Sequence, residues 1–216
     1  MKEAFKTVYE GGTGEIIVKK SRFIATVCSA ETEEAAEAMI ESLKKKYWDA
    51  AHNCSAYIIG TENPIMRCSD DGEPSKTAGR PMLDILLSRE LYNIVVIVTR
   101  YFGGTLLGTG GLVKAYQGAA LEGLNRSKII TKQLGEQLKI TTDYNLVGKL
   151  QYMAAQEQIT ILSSVYTELV ELVLLVTPGK VDYLTKKIAE LSNGSAILEL
   201  LGQVYFTVLD DYVHLF

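Results

Sequence analysis

Five glycines fall within nine residues of the segment RYFGGTLLGTGGLVKAY, which spans residues 100–116. They are Gly103, Gly104, Gly108, Gly110 and Gly111. Glycine lets the backbone approach a ligand closely, and the unpaired N–H groups at the start of a helix attract anions. Arg100 and Lys114 flank the glycines and add positive charge. The segment predicts a site for a phosphate or a carboxylate, and the alternative is a tight crossover from a strand to a helix.

The glycine-rich segment matches neither of the two common nucleotide-binding motifs. No Gly-Lys-Ser/Thr closes it as in a P-loop, and its glycines do not have the GxGxxG spacing of a dinucleotide site. The sequence therefore indicates neither ATP nor NAD, and it predicts no cofactor.

Three carboxylates, those of Asp70, Asp71 and Glu73, lie in the segment SDDGEPSKTAGRP beside Lys76 and Arg80. Carboxylate oxygens bind hard cations such as Mg²⁺, and a carboxylate can also act as a general base. The same run of residues is typical of a solvated turn. Two interpretations stay open: a metal or catalytic cluster, and a structural loop that gates a ligand.

His52 and Cys54 are two residues apart, which places them on the same face of a strand. With Cys68 they have the residue types of a nucleophile and base, or of three metal ligands. A buried cysteine is more commonly a packing residue, and the sequence favours this interpretation, with His52 as a polar group in a cleft. We predict no catalytic residue here, no metal site and no disulfide among the three cysteines.

The segment KKSRF places Lys20 and Arg22 on one strand face. They are the first of seven basic residues that together predict a basic groove for nucleic acid, the others being Arg67, Lys76, Arg80, Arg100 and Lys114. The alternative is an ordinary solvated strand edge.

The elements that must position these residues follow from the hydrophobic pattern of residues 1–130. Strands are predicted at residues 5–10, 15–20, 22–28 and 54–59, and an amphipathic helix at residues 31–47. Residues 60–79 are predicted to be a long loop, followed by a helix that begins near Pro81. The continuous run IVVIVTRYF predicts a buried strand directly before the glycines, and LVKAYQGAALEGL predicts a helix directly after them.

The pattern loses its period at residues 126–135, which we interpret as a domain boundary. Residues 135–210 then predict the order strand, helix, strand, strand, helix, strand, which is the ferredoxin-like arrangement. The fold class is therefore α+β, with one domain at residues 1–130 and a second at residues 135–210.

The charge distribution limits the classes of partner. The chain has a net charge of −4, which excludes a protein that coats nucleic acid by bulk attraction. Up to residue 134 there are 17 basic and 16 acidic residues, and the remainder has 5 and 10. A phosphate ligand is therefore expected on the first domain. No apolar run is long enough to span a membrane, and we expect a cytoplasmic protein with no membrane partner.

Four motifs, KKSRFIA, HNCSAYIIG, SDDGEPSKTAGRP and RYFGGTLLGTGGLVKAY, occur in this order within residues 1–130. Together they resemble the signature of the IMPACT family, in its bacterial YigZ and YvyE type. The resemblance implies a first domain with the fold of a small-subunit ribosomal protein's second domain, of the left-handed β-α-β type. It implies a second domain similar to the last domain of elongation factor G. Eukaryotic relatives regulate translation in the stress response to amino-acid starvation, through a partner protein.

These observations lead to one functional hypothesis and two alternatives. The hypothesis is a non-enzymatic, translation-associated protein whose glycine-rich cleft binds RNA phosphate, the ribosome or a nucleotide-like anion, and whose second domain docks on a protein or ribosomal surface. One alternative is an enzyme acting on a phosphorylated small molecule, with Asp71 or Glu73 as base or Mg²⁺ ligand. The other alternative is a pure protein-interaction module, and the sequence does not indicate an oligomeric state.

Overall fold

A computed structural model describes residues 1–216, which form two compact units, Met1–Lys132 (unit 1) and Gln133–Phe216 (unit 2). Each unit combines helices with a β-sheet, which confirms the α+β fold of two domains predicted from the sequence. None of the helices combines the length and the apolar character that crossing a membrane requires.

Unit 1 contains six strands and three helices. The strands are β1 Ala4–Glu10, β2 Thr13–Val18, β3 Ser21–Ser29, β4 His52–Ile59, β5 Ile65–Ser69 and β6 Ile94–Tyr101. The helices are α1 Glu33–Lys46, α2 Gly79–Ser88 and α3 Thr109–Asn125. Five of the strands form an antiparallel sheet in the order β2-β3-β6-β4-β5.

Strand β6 lies at the centre of this sheet, and both of its faces are buried. Val96 and Val98 face a core shared with α2 and α3. Val95 and Ile97 face the opposite way, into a second core that contains Ala36 of α1. This two-sided burial explains the uninterrupted β-branched run in the sequence. It also fixes the position at which the glycine-rich loop leaves the sheet.

Strands β2 and β3 are joined by a hairpin turn of only two residues, Lys19 and Lys20, because Val18 pairs directly with Ser21. Both turn residues have positive φ, 47° and 68°. A two-residue hairpin needs this left-handed backbone to match the twist of its strands. The turn therefore exposes two lysine side chains at one end of the sheet.

The predicted long loop at residues 60–79 contains a strand, β5, so this part of the prediction is wrong. All five residues of β5 are exposed, although the strand pairs with β4 from Ser55 to Ile59. A solvent-facing edge strand has no buried face, so its sequence carries no alternation of apolar and polar residues. The other residues of the predicted loop do connect elements: 60–64 join β4 to β5, and 70–78 join β5 to α2.

Unit 2 has the ferredoxin-like order predicted for it. Its elements are β7 Lys128–Thr142, α4 Tyr144–Gln156, β8 Thr160–Tyr166, β9 Val170–Val176, a short 3₁₀ turn Pro178–Lys180, α5 Val181–Leu191, β10 Ile197–Leu209 and β11 Tyr212–Leu215. The sheet order is β11-β10-β7-β9-β8, with antiparallel pairing throughout. Strand β11 is an additional edge strand that the sequence pattern did not predict.

The segment at residues 126–135, predicted to be irregular, is largely strand. Strand β7 begins at Lys128 and continues for 15 residues, and the chain passes from unit 1 to unit 2 within it, after Lys132.

Candidate functional site

The glycine-rich loop connects β6 to α3, and Gly108 is the last residue before the helix. Gly108 has a φ of 74°, a left-handed conformation that glycine adopts without strain. The first backbone hydrogen bond of α3 runs from Leu112 N–H to Gly108 O, and no side chain caps the helix. The three preceding N–H groups, at residues 109–111, therefore have no acceptor in the helix, which is the arrangement that binds anions.

Gly103 brings this loop against the hairpin turn of β2 and β3. A Cβ atom at Gly103 would lie 2.1 Å from the carbonyl carbon of Lys20, so only glycine fits there. The Gly103 N–H also donates to Ser21 Oγ at 3.1 Å. This close contact alone requires a glycine at position 103, and no ligand is needed to account for it. The crossover alternative predicted such a role. By contrast, a Cβ at Gly104 or Gly110 would meet no atom within 4 Å, so these glycines border open space.

Asp70 organises the segment before α2. Its Oδ1 accepts hydrogen bonds from the N–H groups of Ala78 and Gly79, at 3.0 and 2.9 Å. Its Oδ2 accepts from Lys76 N–H at 2.7 Å. Three backbone donors thus occupy both carboxylate oxygens, and Asp70 is a structural residue of the loop.

Asp71 holds the loop against β4 and α1. Its Oδ2 accepts from Asn53 N–H at 2.6 Å, and its Oδ1 accepts from Lys44 Nζ at 2.9 Å. Burial alone would raise the pKa of the Asp71 carboxyl, but these two hydrogen bonds and the charge of Lys44 outweigh it and lower the pKa below its ordinary value.

The backbone of Asp71 orients His52. The His52 Nδ1 atom lies 2.7 Å from the carbonyl oxygen of Asp71. Because a carbonyl oxygen only accepts, Nδ1 carries the proton and Nε2 is left as the acceptor of the neutral ring. Nε2 lies 3.9 Å from Glu73 Oε1.

Glu73 is a buried carboxylate, with only 3% of its side chain exposed. Its Oε1 accepts from Arg100 Nη1 at 2.6 Å and from Tyr116 Oη at 2.7 Å. Both hydrogen bonds end on the same oxygen, so Oε2 has no donor from the protein. The Nε atom of Arg100 is likewise buried without a partner. The ion pair is therefore fixed, but it retains one acceptor and one donor that the protein does not satisfy.

These groups border a cavity of about 540 Å³ in unit 1. Polar groups on its wall come from His52, Glu73, Arg100 and Thr109. Apolar groups come from Pro74, Phe102, Leu106, Leu107 and Leu112. Phe102 is 51% exposed and Leu106 is 82% exposed. The cavity thus joins the start of α3, a buried acid–base cluster and two exposed apolar side chains.

The predicted basic residues divide into two groups. Each arginine of the predicted groove is paired with a carboxylate: Arg22 with Glu15, Arg67 with Glu33, Arg80 with Asp84 and Arg100 with Glu73. The lysines of the groove have exposed side chains that form no ion pair: Lys20, Lys76 and Lys114. The sequence assigned free positive charge to Arg100 in particular, and the structure corrects this, because Glu73 neutralises it.

The structure does not bring the three carboxylates together as metal ligands. Asp70, Asp71 and Glu73 each have different partners, and no group of three His, Cys, Asp or Glu side chains in the chain is placed to hold a metal ion. The structure places Cys54 in a core, which is the packing interpretation that the sequence favours. Cys54 is buried and donates to Asp70 O at 3.0 Å, and burial raises the pKa of its thiol to about 12, which disfavours the thiolate form.

Sequence reasoning missed Tyr116, Phe102 and Leu106 as residues of the site. Tyr116 lies in α3 and is fully buried there. A buried tyrosine hydroxyl requires a hydrogen-bond partner. This requirement is the one feature of the sequence that could have indicated a buried acceptor, such as Glu73, near Tyr116.

Two family models match the chain. Residues 19–124 match the Impact N-terminal domain, and residues 140–195 match DUF1949, a domain of unknown function. The chain belongs to the IMPACT family, as its four sequence motifs indicated.

Similar proteins match over most of the chain. IMPACT family member YvyE of Bacillus subtilis is 39% identical over 196 residues, which cover 91% of this chain and 90% of YvyE. IMPACT family member YigZ of Escherichia coli is 37% identical over 187 residues, which cover 86% of this chain and 91% of YigZ. A crystal structure of a hypothetical protein, 33% identical, superposes with a TM-score of 0.61 and covers 94% of this chain and 99% of that one.

Proposed function

We propose that this chain is a translation-associated regulatory protein that binds single-stranded RNA through the cavity of unit 1. The observation that carries the proposal is the uncapped start of α3, since Gly108 and Thr109 lie on the wall of this cavity. The first N–H groups of this helix have no acceptor within it. A phosphate oxygen is the complementary ligand.

The attraction for phosphate comes from the helix start and the lysines rather than from Arg100. The Arg100–Glu73 pair has no net charge. Lys20 is exposed at the hairpin turn against which Gly103 packs, and Lys114 is exposed in α3. Such a local cluster of charge fits a chain whose net charge is −4.

The apolar part of the cavity supports a nucleotide rather than an isolated phosphate. Its volume of about 540 Å³ lies in the ordinary range for a small-molecule site. Phe102 presents a half-exposed ring beside the helix start, and unstacked bases pack on aromatic rings of this kind. A duplex offers no free base face, so single-stranded RNA is the preferred ligand.

The regulatory role in translation rests on membership of the IMPACT family. The resemblance described above implies that eukaryotic members regulate translation, and an RNA site in unit 1 gives a bacterial-type member a physical means of contact with the same machinery. The enzyme alternative with Asp71 as base is disfavoured, because Lys44 and Asn53 already occupy both oxygens of that carboxylate.

Fluorescence anisotropy with a labelled single-stranded RNA of about ten nucleotides tests the proposal. The variants are Lys20→Ala and Lys114→Ala, and the matched control is Lys45→Ala, an exposed lysine of α1 on the opposite face of the sheet. We expect the slope of log affinity against log salt to fall by about 1 in each of the first two variants and to stay unchanged in the control.

Two results would contradict the proposal. One is the absence of RNA binding at low salt. The other is equal weakening in the control, which would indicate that the RNA contacts the surface of the protein without using the cavity.

A further inference from the structure

We infer that the cavity of unit 1 selects the base of the nucleotide it holds, and that this base is guanine. The inference rests on the proposed function and deepens it, because the base belongs to the nucleotide whose phosphate meets the start of α3. The observation that carries it is a pair of hydrogen-bond acceptors on the cavity wall, Glu73 Oε2 and His52 Nε2, which receive no hydrogen bond from the protein.

Glu73 reaches the cavity through Oε2. The side chain is only 3% exposed, and Arg100 Nη1 and Tyr116 Oη both donate to Oε1. Two polar side-chain atoms are enclosed in the protein without a partner, Arg100 Nε and Thr142 Oγ1. Glu73 Oε2 also has no partner, yet it is not enclosed, so it lies in the small part of the side chain that borders the cavity.

The ion pair of Glu73 with Arg100 does not use both oxygens of the carboxylate. An arginine and a carboxylate frequently pair through two parallel hydrogen bonds. Here Arg100 donates through Nη1 alone, and its Nε is turned away from the carboxylate. Neutralisation of the Arg100 charge therefore accounts for Oε1 and leaves Oε2 as an acceptor for a ligand.

His52 supplies the second acceptor. Its Nδ1–H donates to the carbonyl oxygen of Asp71 at 2.7 Å, which leaves a lone pair on Nε2. The side chain is 24% exposed and lines the cavity. Nε2 lies 3.9 Å from Glu73 Oε1, which is too far for a hydrogen bond between them. Since Oε2 belongs to the same carboxylate, the two acceptors are neighbours on one wall.

Two neighbouring acceptors select a base with two neighbouring donors. Guanine has such a pair on its Watson–Crick edge, the N1–H and the 2-amino group. Adenine and cytosine each have one amino group beside a ring nitrogen that accepts, and uracil has one N–H between two carbonyl oxygens. Each of these three bases brings an acceptor against an acceptor and leaves a polar group of the protein unsatisfied.

The other walls of the cavity fit the remainder of a guanosine nucleotide. Gly108 and Thr109 at the start of α3 are the donors for the phosphate. Phe102 is 51% exposed and offers the face of its ring to the base. In this arrangement the 2-amino group donates to His52 Nε2, and N1–H donates to Glu73 Oε2.

Fluorescence anisotropy of the full-length protein tests the inference with four single-stranded RNAs of about ten nucleotides. All are uridine except at one central position, which carries guanosine, adenosine, inosine or 7-deazaguanosine. Inosine lacks the 2-amino group of guanosine, whereas 7-deazaguanosine lacks only N7, which neither contact uses. Competition by GMP and AMP, measured in parallel, separates recognition of a free nucleotide from recognition of a base within RNA.

The variant is His52→Leu, which removes the acceptor Nε2 from a partly exposed side chain. Its matched control is His214→Leu, which changes the other histidine of the chain, in β11 of unit 2. Thermal unfolding is measured for both. The comparison of the four RNAs with the native protein stands by itself if His52→Leu does not fold.

With the native protein, the guanosine RNA should bind about 5- to 150-fold more tightly than the adenosine RNA. The 7-deazaguanosine RNA should match the guanosine RNA, and the inosine RNA should bind more weakly than either. The difference between guanosine and inosine should disappear in a folded His52→Leu variant and persist in His214→Leu. A purely structural role of His52 predicts instead that all four RNAs weaken equally.

Equal affinity of the native protein for the guanosine and adenosine RNAs would overturn this inference and leave the proposed function intact. An unchanged difference between guanosine and inosine in folded His52→Leu would do the same. Absence of RNA binding would overturn the proposed function itself. Tighter binding of GMP than of AMP in that case would assign the guanine site to a free nucleotide.

Discussion

Glu73 and Arg100 are charged residues held where water hardly reaches them, with 3% and 7% of their side chains exposed. Each compensates the charge of the other, and Tyr116 adds a further hydrogen bond to the carboxylate. The spacing of residues in the sequence does not reveal such a pair, because 27 positions separate its members. The sequence therefore assigned Arg100 to the anion and Glu73 to the metal alternative, whereas the fold brings the two side chains together.

Removal of the Glu73 charge should destabilise the protein strongly. Glu73→Gln leaves Arg100 buried without a counter-charge, and the expected loss is about 3–5 kcal/mol in the free energy of unfolding. Urea denaturation followed by circular dichroism measures this loss. Glu37→Gln, which changes an exposed carboxylate of α1, is the control and should change stability by less than about 0.5 kcal/mol. Equal stability of the two variants would show that the pair contributes nothing.

The cysteines should differ in reactivity. Burial raises the pKa of the Cys54 thiol to about 12, so almost none of it is thiolate at pH 8, and Cys68 is exposed on β5. Iodoacetamide should therefore label Cys68 well before Cys54 in the folded protein. Mass spectrometry of peptides at successive times measures the order. Labelling of Cys54 at the rate of Cys68 would contradict the buried environment assigned to it.

At the scale of elements, the connection between β5 and α2 is positioned by side chains rather than by regular structure. Asp70 binds three backbone N–H groups, and Asp71 binds β4 and α1. The sequence predicted a turn here but could not show which carboxylate faces inward. By contrast, the strand, glycine loop and helix of β6 and α3 could be predicted, because a buried β-branched run and an amphipathic helix have distinct patterns.

The stability of the protein should depend on pH through Asp71, which holds this connection in place. Its pKa is lower in the folded protein than in the unfolded chain, so its contribution to stability is fully present above the ordinary Asp pKa of about 3.9. The contribution is lost as the pH falls through the lower, folded pKa. The free energy of unfolding, measured between pH 6 and pH 2, should therefore decline more steeply for the native protein than for Asp71→Asn. Parallel curves would contradict the assigned hydrogen bonds.

At the scale of the whole molecule, the chain forms two units with separate cores. The core of unit 1 surrounds β6, and the core of unit 2 lies between its sheet and the helices α4 and α5. The helices of unit 2 were predictable from their place in the element order, and Leu150 of α4 and Ile188 of α5 lie in its core. The edge strands β5 and β11 were not predictable, since strands with an exposed face lack the pattern that marks a core.

Damage to one core should spare the function of the other unit. Leu150→Ala removes a fully buried side chain from unit 2 and should cost about 2–5 kcal/mol in the stability of that unit. Hydrogen exchange should show the loss of protection in residues 133–216 alone. The affinity for single-stranded RNA should stay unchanged, and loss of RNA binding in a variant with an intact unit 1 would assign the site to unit 2.

The most direct test of the central claim is to locate bound RNA by NMR. A short single-stranded RNA is titrated into the full-length, ¹⁵N-labelled protein, and the backbone amide signals are followed. The account predicts saturable shifts at Gly108, Thr109 and Gly110, with smaller shifts at Lys20 and His52. Saturable shifts confined to residues 133–216, or to the α1 face of unit 1, would contradict it.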